Sequence, residues 1–453
     1  MRQHGSDAQA LSAPFPWRLA VFDAHCHPTD TMGSIASLAT MRASALAIMA
    51  TRSQDQDLVA HVASVHAAAG DGPFRPPSSQ GDGDDDGAAA AARGACRAIP
   101  SFGWHPWFSH QLYDDVSPAP ATYMAPPPPP PSAPDEPDNA GLLAAKRAHY
   151  QAVLAPAPQD DGFIALLPAP VPLSSFVSST RARLAAHPHA LVGEAGLDKA
   201  FRIPENWDPA LAAARDQGLT PGGREGRLLS RHTVKLQHQQ AVLRAQLRLA
   251  GQAGRPVSLH CVQAHGALYE TLASLWKGYE NHVPSRRERR NVAPGAEPYD
   301  SDSDSHSHSH SHSHSDPDPD SDDCSDGREP TGSTAGQKPF PPRICLHSYS
   351  GSVESLRQWL HPKVPATVFF SFSIAVNLGT QAARSRFAQV VDAVPGDRIL
   401  VESDLHAAGE DMDAALEHMY RQVCRVKGWG LEEGVKRIGE NFQTFVFGDA
   451  QKR

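Results

Sequence analysis

The 453-residue chain is predicted to fold as one α/β domain of the (β/α)8 TIM-barrel type with long disordered insertions. Two observations predict it. Eight short apolar runs alternate with segments of helical periodicity, the pattern of parallel strands joined by crossover helices. Polar residues able to bind a metal follow those runs, at His25, His27, His105, Glu194, His260, His347 and Asp404, and barrels of this kind build their sites at the C-terminal ends of the strands. A doubly wound open sheet is the alternative arrangement of the same elements.

The first run, Leu19–Phe22, leads into Asp23-Ala24-His25-Cys26-His27. Side chains two apart on an extended backbone point the same way, so His25 and His27 can reach one point from the strand end. A polar turn and a helix-length segment precede the second run, Ala45–Ala50, which ends at Thr51-Arg52. Asp55–Ala69 has helical spacing, with Leu58, Val62 and Val65 on one face. The tract Gly70–Arg93 is a loop; its Asp82 and Asp84–Asp86 lack EF-hand spacing and read as solvated linker rather than a calcium site.

The third run, Arg97–Gly103, enters Trp104-His105-Pro106-Trp107. A proline-rich tract follows, and its Pro126–Pro131 reads as a spacer ahead of a polyproline ligand. Ala140–Val153 is a helix, and Arg181–His187 ends another before the fourth run, Ala190–Val192, which is followed by Gly193-Glu194-Ala195-Gly196-Leu197-Asp198. His232–Ala250 has the strongest helical pattern. Gly254-Arg255-Pro256 stops it and starts the fifth run, Val257–Leu259, ending at His260. The helix Gly266–Tyr279 leads to a low-complexity tract with alternating His306, His308, His310, His312 and His314, read as disordered and at most a loose binder of transition metals. The sixth run, Ile344–Leu346, ends at His347-Ser348-Tyr349-Ser350-Gly351, and the helix Val353–Leu360 follows. Thr367–Phe372 is the seventh run, and Arg398–Val401 the eighth, ending at Glu402-Ser403-Asp404. Helical segments Asp411–Val426 and Val435–Phe447 close the chain.

Insertions at 71–93, 117–140, 205–227 and 284–339 make up more than a quarter of the chain and interrupt one domain spanning 17–448. They also carry the acidity. Residues 71–93, 117–140 and 284–339 together hold more negative charge than the net −9 of the whole chain, so the folded remainder is slightly basic, too weakly to imply nucleic acid by charge alone. The six cysteines show no CxxC pair and read as reduced thiols. No signal-peptide pattern and no 18-residue apolar stretch is present, so the expectation is no membrane and a cytoplasmic or nuclear location.

Taken singly, each polar residue has an ordinary reading. His260 could be a hydrogen-bonded histidine, Glu194 and Asp404 loop carboxylates or helix caps, and His105 a turn residue before proline. Together, the imidazoles of His25, His27, His260 and His347 and the carboxylates of Glu194 and Asp404 suit zinc, manganese or magnesium, with mixed N/O donors favouring the first two. Six ligands exceed what one catalytic ion needs; two divalent metal ions bridged by a carboxylate would use them all.

The stretches 23–27, 103–106, 193–198, 347–351 and 402–404, with His260, resemble the successive motifs of the TatD family, and Gly439-Glu440-Asn441-Phe442 resembles its closing helix. The resemblance implies a metal-dependent hydrolase on an amidohydrolase-type barrel, known chiefly as a deoxyribonuclease. It implies that His25, His27 and Asp404 hold one metal, that Glu194 bridges, and that His260 and His347 hold the second. Asp404 would act as general base on the attacking water, His105 and Tyr349 would lie beside the substrate phosphate, and Asp23 would support the metal-bound imidazoles. Two departures bear on substrate choice: Val262 stands where many members have arginine, and Leu405-His406-Ala407-Ala408 replaces small residues and proline. Gly103–Trp107, Leu259–Gly266 and the insertions look most like a fungal branch, named for association with a tetratricopeptide-repeat subunit of the anaphase-promoting complex. The leading expectation is an exonuclease-like hydrolase of DNA. Alternatives are hydrolysis of another ester, lactone or amide at the same metals, and an adaptor for a tetratricopeptide-repeat protein with weak or lost catalysis.

Overall fold

The computed structural model describes residues 13–66, 96–118, 139–207, 215–284 and 337–448. Eight parallel strands follow one another around a single sheet in chain order: β1 (Phe22–Cys26), β2 (Ala45–Met49), β3 (Arg97–Phe102), β4 (Leu191–Asp198), β5 (Val257–Val262), β6 (Arg343–Leu346), β7 (Thr367–Phe372) and β8 (Ile399–Val401). Helices Ser53–Val65, Leu173–Ala186, Leu236–Gln252, His265–Trp276, Val353–Trp359 and Gln381–Ala393 form the crossovers. The sheet and these helices make a nearly closed barrel. They lie in the compact unit formed by Met1–Glu280 and Gln337–Arg453.

Strands covered on both faces must be apolar on both, and β2, Ala-Leu-Ala-Ile-Met, is buried throughout. Inside the barrel, small Ala24, Ala45 and Ala47 leave room for aromatic rings from the C-terminal helix Leu431–Phe447. Phe442 stacks on Phe22 with ring centres 4.5 Å apart, and Phe445 meets Phe369 edge-on at 5.5 Å. This plug fills the strand-start half of the barrel and leaves the other half to polar side chains.

The seam lies between β1 and β8. Across it, the Asp404 amide donates to the His25 carbonyl at 3.0 Å and the His27 amide to the Leu405 carbonyl at 2.8 Å. Asp23 reinforces the seam: one oxygen accepts both the His25 and the Ser403 amides at 3.0 Å, and the other accepts the Ser403 hydroxyl. The backbones carrying His25, His27 and Asp404 are therefore tied together before any metal is considered.

Three strand assignments from sequence are corrected. The first strand runs from Phe22 to Cys26 rather than Leu19 to Phe22, because the Leu19 amide is taken by a turn onto Pro16 and pairing with β2 starts at Phe22. The fourth extends past Val192 to Asp198, and the fifth past Leu259 to Val262, since the two ladder from Ala195–Leu259 to Asp198–Val262. Glu194 and His260 thus sit inside strands. Hydropathy ended these strands early because polar ligands look like strand ends when their partners are out of view. The helix Gln381–Ala393 had no counterpart in the sequence reading; its buried face is only Phe387, Val390 and Val391.

Between β3 and β4 the chain makes an excursion that includes the helices Asn139–Val153 and Asp161–Leu166. Within the insertion expected at 205–227, the described residues are 205–207 and 215–227; the latter form a hydrogen-bonded loop against the barrel mouth, with the Thr220 amide on the Asp30 carbonyl at 2.8 Å. The acidic tract at 82–86, the proline run 126–131, the histidine tract 306–314 and Cys324 lie outside the described residues. Among the described residues the five cysteines are free, and no helix is long and apolar enough to cross a membrane.

Candidate metal centre

Glu194 is the hub. Burial alone would favour its protonated form, but the imidazoles of His105, His347 and His25 outweigh that and hold its carboxyl far below the usual range. Its two oxygens divide the surrounding imidazoles. Oε2 lies 3.4 Å from His25 Nε2 and 3.3 Å from His27 Nε2, while Oε1 lies 2.9 Å from both His260 Nδ1 and His347 Nε2. Asp404 joins the first side, with Oδ1 3.7 Å from His27 Nε2. Ligand atoms of His25, His27 and Asp404 lie within 4.8 Å of one another, as do those of His25, Glu194 and His347 and those of His105, Glu194 and His260.

Backbone geometry makes this convergence possible. Gly196 has φ +155°, and a Cβ there would stand 2.0 Å from the His260 carbonyl oxygen, so only glycine lets β4 approach β5 this closely. Gln263, Ser348 and Asp404, each just past a strand, take left-handed backbone angles (φ +54°, +41° and +58°), a conformation that concentrates at functional sites.

The far side of each imidazole decides what the near side offers. His260 Nε2 is 3.1 Å from Asp198 Oδ2. Burial raises Asp198, but hydrogen bonds from His260 and Trp107 outweigh it and bring the carboxyl to about 2. A carboxylate can only accept, so His260 carries a proton on Nε2. At Nδ1, which faces Glu194 Oε1, a metal ion would take the place of a second proton, and the two carboxylates outweigh burial and raise the ring above an ordinary histidine. His25 Nδ1 is hydrogen-bonded to Ser258 Oγ at 2.8 Å, and His347 Nδ1 faces Glu402 Oε1 at 3.5 Å, a charge pairing beyond hydrogen-bond range. Glu402 itself is buried and accepts the Ser348 amide at 2.7 Å and the hydroxyls of Ser348 and Ser371.

Nitrogen faces nitrogen at 3.1 Å in both the His25–His27 and His260–His347 pairs, beside carboxylate oxygens. Lone pairs this close repel unless a proton or a cation lies between them. Burial lowers His27 well below an ordinary histidine, while Glu194 and Glu402 outweigh burial at His347 and raise it well above. The donor set, buried nitrogen and carboxylate oxygen with supporting acceptors behind, fits divalent metal ions competing with protons for the same lone pairs.

His105 differs. Its Nδ1 accepts the Trp107 backbone N–H at 3.1 Å, and burial pushes its pKa down to about 4, so Nε2 holds the proton and donates it to Glu194 Oε1 at 3.1 Å. It is in the centre as a hydrogen-bond donor.

A cavity of 460 Å³ opens over the centre, lined by His27, His105, Glu194, His260, His347 and Asp404, with Trp107, Phe201, Val262, Arg52, Arg224 and His406 on its walls. Tyr349, expected beside the substrate, is not on that lining. Its ring packs edge-on against Phe370 and its hydroxyl donates to the Ser352 carbonyl at 3.1 Å; Ser348 and Ser350 line the wall instead. Among the described residues Asp23 makes no hydrogen bond to an imidazole: it accepts backbone amides and the Ser403 hydroxyl, and the partners of the imidazoles are Asp198, Ser258 and Glu402. Sequence reasoning left those three unassigned, although Asp198 is four residues beyond Glu194 and therefore on the same face of an extended strand.

The profile of the family described as TatD related DNase matches residues 22–447. The Cut9-interacting protein scn1 of Schizosaccharomyces pombe is 31% identical over 427 residues, covering 94% of this chain and 98% of that protein. A protein of Saccharomyces cerevisiae named as an uncharacterized deoxyribonuclease is 25% identical over 356 residues, 76% of this chain and 80% of that protein. Among solved structures, the TatD homolog YJJV of Escherichia coli aligns over 95% of this chain and 98% of its own, with 14% identity and a TM-score of 0.43. With the profile running from β1 to the end of the C-terminal helix, the chain belongs to the TatD family of hydrolases.

Proposed function

We propose that the protein is a metal-dependent hydrolase of phosphodiester bonds in DNA, attacking from an exposed end. The observation that carries this reading is the division of Glu194: one oxygen faces His25 and His27, the other His260 and His347. His25, His27 and Asp404 would hold one divalent ion, zinc, manganese or magnesium, and His260 and His347 a second, with Glu194 shared. When bound, the ions lower the pKa of water and neutralise charge on the attacked phosphate.

The chain's own groups do the rest. Burial pushes the Asp404 carboxyl up, against the pull of His347 and His25, so it is a better proton acceptor than a surface carboxylate and takes the proton of the attacking water. His105, fixed as a donor at Nε2, holds Glu194 in place with its one N–H. Trp107 and Phe201, stacked with ring centres 4.6 Å apart, give a wall on which a nucleobase can lie.

The test is nuclease activity of the purified protein with added manganese or magnesium, on single-stranded and blunt-ended DNA, beside Glu194→Ala and Asp404→Ala. A loss of at least a hundredfold in both variants is expected; equal activity in all three proteins removes the reading. Cleavage of a carboxylic ester or lactone, but of no phosphodiester, would move the chemistry to a neutral substrate. A second reading, docking on a protein partner, is supported by the 31%-identical relative named for interaction with Cut9.

A further inference from the structure

We infer that Arg224, on the loop 215–230, is the residue that binds the substrate's phosphate, and so selects phosphate esters over neutral esters. The inference rests on the hydrolase reading above and deepens it.

Two guanidinium groups line the cavity, Arg52 and Arg224, and they are in opposite situations. Arg52 is 3% exposed and heavily engaged: Nη1 contacts Asp30 at 3.1 Å, Asp55 at 3.2 Å and the Thr51 hydroxyl at 2.9 Å, while Nη2 and Nε bond the carbonyls of Thr220 and Pro221 at 3.2 and 3.3 Å. It is a bracket that fixes the loop, with all but one of its N–H groups and its whole charge committed to that task. Arg224 is exposed, has no carboxylate partner among the described residues, and its side chain makes one hydrogen bond among them, from Nε to the Arg227 carbonyl at 3.2 Å. Its terminal nitrogens are uncommitted.

The loop is built to hold that side chain in place. Thr220 bonds the Thr29 carbonyl at 2.5 Å and the Asp30 carbonyl at 2.8 Å, in the segment directly after His27. At the other end, the Glu205 amide bonds the Leu228 carbonyl at 2.8 Å and the Ser230 amide the Ile203 carbonyl at 2.9 Å, beyond β4. In between, Gly222, Glu225 and Gly226 take left-handed angles, and the Glu225 carboxylate accepts the Gly222 amide at 2.7 Å and pairs with Arg215. Arg224 is thus carried at the turn of a loop anchored on both sides of the centre. On β5, Cys261 and Val262 contribute no charge to the wall. A guanidinium with two free N–H groups matches two phosphate oxygens, and a neutral ester offers it nothing comparable.

Calorimetric titration of the full-length protein, with manganese added, against thymidine 5′-monophosphate and against thymidine tests the assignment. Arg224→Ala is expected to weaken the nucleotide about tenfold and leave thymidine unchanged. Arg224→Lys should recover part of the loss, as a point charge without the fork, and Arg231→Ala, an exposed change off the cavity, should have no effect. Thermal unfolding and limited proteolysis of each variant check that the loop stays folded. Equal nucleotide affinity in wild type and Arg224→Ala overturns the inference, as does wild type that binds nucleotide no better than thymidine. Arg224-dependent binding without DNA cleavage would retain this assignment and remove the hydrolase reading; cleavage that ignores Arg224 would do the reverse.

Discussion

Asp198 stands behind His260 in the way that Glu194 stands before it: Asp198 Oδ2 is 3.1 Å from Nε2, and Glu194 Oε1 is 2.9 Å from Nδ1 of the same ring. The outer carboxylate holds a proton on Nε2 and so leaves Nδ1 as the nitrogen that would meet a metal. Asp198→Asn keeps the size of the side chain but removes the charge that enforces this. We expect metal affinity to fall about 10- to 100-fold with little change in thermal stability, measured by zinc or manganese competition against a chromogenic chelator. Unchanged affinity would mean the ring is held by other contacts.

His105 makes the complementary case. Because Trp107 donates to its Nδ1 and Nε2 holds the proton, His105→Ala should lower turnover by about two orders of magnitude. Metal stoichiometry should stay that of wild type. Loss of one bound metal, read by elemental analysis of the dialysed protein, would show that His105 is a ligand after all.

Gly196 tests whether strand contact creates the centre. An added Cβ would meet the His260 carbonyl oxygen at 2.0 Å on a backbone already at φ +155°, so Gly196→Ala should destabilise the fold by about 3 kcal/mol or more. Urea unfolding measures it. A change under about 1 kcal/mol would show that β4 and β5 can part without loss.

The plug at the opposite end should behave independently. Phe442 is 1% exposed and stacks on Phe22; Phe442→Ala should remove about 3–5 kcal/mol and leave metal affinity of the folded fraction unaltered. Coupled loss of both would tie the plug to the centre.

Stability should also fall in mild acid. Burial, reinforced by neighbouring His149, lowers His110 to about 3, and burial lowers His149 to about 4. Above the ordinary histidine pKa of about 6.5, folded and unfolded chains are both neutral at these positions and the stability is fully present. As pH falls below that value the unfolded chain takes up protons that the folded one refuses, so each histidine removes about 1.4 kcal/mol per pH unit, down to its folded pKa. Urea midpoints between pH 7 and pH 5 should drop accordingly, and the drop should shrink in His110→Asn. A flat profile over that range would show that these rings take up protons in the folded state.

Much of the centre was legible because its candidate ligands are local marks on a repeating pattern. His25 and His27 follow an apolar run, His347 follows another, and Glu402-Ser403-Asp404 a third; strand periodicity and the order of motifs were enough to put them on one face. The plug was only half visible: the helix Val435–Phe447 was expected, but that its phenylalanines enter the barrel depends on the alanines of β1 and β2 leaving space.

What the sequence by itself determined was the alternation of strand and helix and the chemical identity of the six candidate metal-binding side chains, because both are carried by residue type and short-range spacing. Tertiary structure decided the rest. It moved Tyr349 off the cavity and gave Asp198, Ser258 and Glu402 their places behind the imidazoles. It made a donor of His105 and brought Arg224 to the wall from a stretch that looked like an insertion. Those roles depend on which atoms meet across β4, β5 and the loop 215–230, and closeness between residues far apart in the chain leaves no periodic trace in either one.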